Sequence, residues 1–95
     1  MPAKIKYSVE VFKEDNQYIA ICPELGVSSF GDSQKEAETS LKEAVTLFIE
    51  ECQRMGTLEE VLEEAGYHAS DKDRTEWVPR EPLMVEKDEV AVAGR

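Results

Sequence analysis

Residues 22 to 50 read C-P-E-L-G-V-S-S-F-G-D-S-Q-K-E-A-E-T-S-L-K-E-A-V-T-L-F-I-E, and the reading of this stretch decides the fold. It passes from the end of one strand, through a tight loop and a short further strand, into an amphipathic helix. Gly31 supplies a flexible turn. Ser33 and Glu36 form S-x-x-E, a capping box in which the hydroxyl accepts the backbone N–H three residues on while the glutamate reaches back. The helix therefore starts at Ser33. From there Ala37, Leu41, Ala44, Val45, Phe48, Cys52 and Met55 recur at steps of three and four and share one face. Glu38, Lys42, Glu43, Glu50, Gln53 and Arg54 occupy the other, with Glu38 and Lys42 spaced to pair at i,i+4.

Upstream, residues 4 to 12 alternate strictly. Ile5, Tyr7, Val9 and Val11 fall on one side and Lys4, Lys6, Ser8 and Glu10 on the other, the pattern of a half-buried strand. The polar run 13–17 is a turn and Tyr18 to Cys22 a second strand, so the pair reads as a hairpin with a loop somewhat longer than two residues. Pro23 ends the pairing because it has no N–H to donate. Val27 to Phe30 makes the third strand.

Downstream, Gly56 stands where a left-handed C-cap glycine belongs. Thr57 and Glu60 offer a second capping box, T-L-E-E, for a short helix that presents Leu58, Val61, Leu62 and Ala65 on one face before Gly66 stops it. Residues 67 to 82 are polar, carry two prolines and read as a linker interrupted by Trp77 and Val78. Residues 83 to 93 regain β character, as one strand or a hairpin, and a strand on so long a connection can pair within the chain or with a neighbouring subunit, as in domain swapping. The expectation is a single α+β domain over residues 1 to 95: a three-stranded antiparallel meander packed by one long helix (1 to 56), a short second helix (57 to 66) and a C-terminal strand, in the order β-β-β-α-α-β.

A strand ending in Cys22-Pro23-Glu24-Leu25, a short apolar strand, then Gly31-Asp32-Ser33 with Glu36-Ala37 and an amphipathic helix resembles the HicB-like antitoxin family, over residues 5 to 55 or so. The resemblance implies a core that binds and covers a small basic HicA-type mRNA-cleaving toxin, and a later strand that returns to the sheet beside the first. Two features depart from the pattern. Leu25 runs directly into Gly26 without the proline many members carry, and nothing after Met55 reads as a basic DNA-binding domain, so no direct nucleic-acid contact is expected.

Charge points the same way. The chain carries 21 acidic and 11 basic residues, a formal charge of -10. Such a field repels phosphate backbones and suits a basic protein partner. Ninety-five residues give a thin core, so a homo-oligomer, dimer or tetramer, is expected. No leader or membrane-spanning run is visible, which predicts a cytoplasmic protein with Cys22 and Cys52 as small buried hydrophobes.

Catalytic, metal and cofactor sites are not expected. His68 is the sole histidine, no C-x-x-C pair exists, Gly26 and Gly31 stand apart, and the strands offer only Glu10 to a carboxylate cluster of the kind that holds Mg²⁺. The candidates are instead binding residues: Glu24 in the loop after Cys22, and Glu59, Glu60, Glu63 and Glu64 on the polar side of the second helix. Trp77 reads either as a partner anchor or as a pin holding the linker to its own core. Phe12 and Phe30, on the outer face of the meander, are the expected oligomer interface. The competing expectation is a stand-alone oligomeric domain with a structural or regulatory role and no toxin.

Overall fold

The computed structural model describes residues 4–72 and 74–94. Eight elements follow in order: β1 (Lys4–Ile5), β2 (Glu10–Glu14), β3 (Gln17–Cys22), β4 (Val27–Gly31), α1 (Gln34–Met55), α2 (Leu58–Glu64), β5 (His68–Ala69) and β6 (Glu76–Val78). The α+β class and the meander match the sequence. β2, β3 and β4 form an antiparallel sheet in that order, and α1 lies mainly across β4 and β3.

Alternation sets which side of the meander is covered. Ala20 and Cys22 of β3 are wholly buried and meet Ala37, Leu41 and Val45 of α1, with Tyr7, Val11, Tyr18, Leu25, Val27 and Ile49 packed around them. Small residues on the sheet let the helix approach closely. Gly31 shows how closely: a Cβ there would lie 2.7 Å from the amide nitrogen of Ala37. Its φ is not in the left-handed region, so Gly31 is required for space rather than as a flexible turn.

Both ends of α1 are built as its sequence dictates. The Ser33 hydroxyl accepts the Glu36 N–H at 3.1 Å, and the Glu36 carboxylate accepts the N–H of Asp32, one residue before the cap. At the other end Gly56 adopts φ 73°, and the Gly56 and Thr57 N–H groups close onto the carbonyls of Gln53 and Cys52, a Schellman motif. α2 ends the same way at Gly66 (φ 90°), with the Tyr67 N–H on the Leu62 carbonyl. Tyr67, Leu62 and Cys52 are also buried, outside that cluster.

Several boundaries differ from the sequence expectation. The first strand is divided: β1 pairs in parallel with β6, while β2 pairs with β3. The hairpin loop is the two residues Asp15-Asn16, because Asp15 takes φ 53°, a conformation short polar side chains tolerate. The Thr57 hydroxyl does not cap α2: with the backbone at φ -112°, ψ 4° it turns back and donates to the Cys52 carbonyl of α1 at 3.5 Å. Met55 is 63% exposed, since α1 runs on past the sheet it covers. The interval 67 to 82 is not a plain linker, for β5 and β6 lie within it, whereas residues 83 to 93 form no strand. Trp77 is the centre of β6, with the β-branched Val78 after it, and it pairs with both Ile5 and Ala69.

Candidate functional site

Three surfaces hold the candidate binding residues. The first is a corner where β1 passes into β2. Glu24 turns its carboxylate inward along the chain, and both oxygens accept the Ser8 N–H, at 3.0 and 3.2 Å. Burial alone would raise this carboxyl; the hydrogen bonds from Ser8, its own N–H and the Cys22 thiol outweigh burial and hold it below its ordinary value. Cys22 Sγ lies 3.6 Å from Glu24 Oε1, and burial, then the adjacent carboxylate, push the thiol up. Tyr67 donates to the Lys6 carbonyl at 2.6 Å and is also raised, first by burial and then by the Glu24 charge. These groups are protonated donors around one carboxylate. Glu24 thus serves its own fold, substituting for a strand where β3 has ended.

The second surface is α2. Its exposed side carries Glu59, Glu60, Glu63 and Glu64, while Leu62 is buried and Leu58 and Val61 are half-buried. Trp77 is half-buried at the edge of this helix and lines a cavity of about 390 Å³ with Gln53, Gly56, Leu58, Glu59 and Leu62. The structure therefore brings Trp77 to Glu59 and leaves Glu24 in its separate corner. Among the described residues, no group of three or more His, Cys, Asp or Glu could hold a metal ion.

The third surface is the uncovered side of the meander. The register aligns Phe12 with Ile19 and Ile19 with Phe30, so the two phenylalanines flank one isoleucine across three strands. Phe12 is 50% exposed and Phe30 63% exposed. A row of this kind is an apolar patch left largely open by the described residues. Ile19 was not singled out by sequence; recognising Asp15-Asn16 as a two-residue loop would have placed it between them. Ser8 and Tyr67 were also missed, although an aromatic after a C-cap glycine is itself a packing signal.

These features define a small α+β protein. The chain is 43% identical to a UPF0150 protein of Synechocystis sp. over 68 residues, which is 67% of this chain and 93% of that relative. It belongs to the UPF0150 family. No protein-family model matches the chain. No solved structure matches it.

Proposed function

We propose that this protein is a HicB-like antitoxin-type binding module that engages and neutralises a small basic HicA-type mRNA-cleaving toxin. The observation that carries the reading is the acidic side of α2, where Glu59, Glu60, Glu63 and Glu64 are exposed beside the Trp77 cavity. A recess lined by Leu58, Leu62 and Trp77 with Glu59 at its rim suits a cationic partner that inserts an apolar side chain, the charges of α2 steering encounter and the recess holding the complex. The formal charge of -10 and the C-P-E-L and G-D-S-x-x-E-A segments support the same reading.

The test is a growth-rescue assay with a HicA-type protein, sought first in the reading frame beside this chain. Co-expression of the wild type should restore growth, and the charge-reversed variant Glu59→Lys/Glu63→Lys, which alters only exposed positions, should weaken binding at least tenfold, about 1.4 kcal/mol. Unchanged rescue by that variant would remove α2 from the contact.

A second reading is a stand-alone oligomeric domain without a toxin, and the exposed Phe12–Ile19–Phe30 row favours it. Phe30→Glu should then lower the assembly mass in sedimentation, and an unaltered mass would exclude this face.

A further inference from the structure

We propose that the free edge of the first strand, residues 5 to 13, is a docking groove for the C-terminal segment, residues 83 to 93, of a second copy of this chain. The inference goes beyond toxin binding and stands without it.

The even-numbered backbone groups of residues 4 to 14 all point to one edge. The N–H groups of Lys4 and Lys6 donate to the carbonyls of Thr75 and Trp77, and that of Ser8 donates to Glu24. The two-residue hairpin closes on the pair Glu14 and Gln17, so Phe12 with Ile19 and Glu10 with Ile21 are the hydrogen-bonded pairs that alternate from it. The odd-numbered groups therefore face the other way. β1 and β2 are each the end strand of their sheet, and among the described residues no strand lies along that second edge.

The edge strand carries no proline; its charges are Lys6, Glu10 and Lys13, while Ile5, Tyr7, Val9 and Val11 give an apolar side toward α1. Beside it runs a groove. A cleft of about 460 Å³ lies between Tyr7 and Val9 and the flank of α1 at Lys35, Glu38, Thr39 and Lys42. It continues past Tyr7 into one of about 280 Å³ at Ile5, Val45 and Ile49. A strand added here would extend the sheet and rest its side chains on α1.

The chain supplies a matching strand. Leu83 is fully exposed, and Val85, Val90 and Val92 are each more than 80% exposed. Between the apolar ends lie Glu86, Lys87, Asp88 and Glu89, net acidic, and the polar end of the groove carries Lys35 and Lys42 with Glu38, net basic. The tail does not reach its own groove. A Cβ on Gly66 would meet Arg80 Nε at 3.1 Å, so at residue 80 the chain is still held at the end of α2, on the paired side of β1. The radius of gyration is 16.6 Å against roughly 12 Å for a compact chain of this length, and the long axis reaches 59 Å. Reciprocal exchange between two copies closes both edges with two-fold symmetry.

Amide hydrogen exchange on the full-length chain over a concentration series tests this. The Tyr7, Val9 and Val11 amides should gain at least about tenfold protection as the mass doubles in sedimentation. Leu83→Asp/Val85→Asp, at positions exposed in the single chain, should abolish both changes while Ile19 and Ile21 stay protected. Absence of edge protection at every concentration would overturn the proposal. So would protection already present in the monomer, which means the tail folds back on itself, or protection that survives the tail substitutions, which means another segment fills the edge.

Discussion

Glu24 sits in the middle of the motif that carries the family resemblance, yet its work is internal. Its carboxylate holds the Ser8 N–H at the point where β3 can no longer do so. The neighbouring motif residues behave alike: Cys22 and Leu25 pack in the core, Gly26 takes φ 68°, and Gly31 clears room for Ala37. This sequence signature specifies a corner of the fold, so it was legible as structure and silent about chemistry. The spacing shows that a glutamate follows the strand, but only the break between β1 and β2 shows what it binds. Because the folded Glu24 carboxyl lies below its ordinary value of 4.5, its contribution is full above that pH and is lost as pH falls through the lowered folded value. Glu24→Gln should cost about 1 kcal/mol at neutral pH, a figure reduced for partial exposure, and the deficit should shrink in acid. Urea unfolding of both proteins at neutral and acidic pH measures it.

Helix ends separate what local sequence determines from what it does not. Ser33-x-x-Glu36 and Thr57-x-x-Glu60 are equivalent as patterns, and only the first forms a cap. Thr57 follows the C-cap glycine of α1 by one residue, and both its N–H and its hydroxyl donate to the Cys52 carbonyl, so its side chain ends one helix instead of beginning the next. Two capping signals this close compete, and the end of α1 wins. Ser33→Ala should therefore destabilise by about 1 kcal/mol and Thr57→Ala by a few tenths, compared by thermal unfolding. Equal losses would contradict the assignment. The same contest explains the strands. Alternation in residues 4 to 12 is continuous, but a strand exists only where a neighbour pairs with it, and β6 and β3 leave a gap filled by Glu24. Residues 83 to 93 have β propensity but form no strand, because within this chain no neighbour pairs with them.

At the scale of the molecule, one small core supports an unusual amount of exposed apolar surface. The Phe12–Ile19–Phe30 row, the free edge of residues 5 to 13 and the tail all lack cover, while acids crowd α2. The first three suit association with identical chains, and the last suits a basic stranger. Charge and composition made that division visible early, but the register that gathers the phenylalanines needed the hairpin loop to be known. No described helix is long and apolar enough to cross a membrane. Membership of the UPF0150 family leaves the partner to experiment, and the most direct measurement is co-purification of the tagged full-length chain from its own source at low and then moderate salt. The account predicts recovery of a small basic protein that cleaves mRNA, in near-equal amount at low salt and diminishing as salt screens the carboxylates of α2. Recovery of this chain alone at both salt concentrations would contradict it.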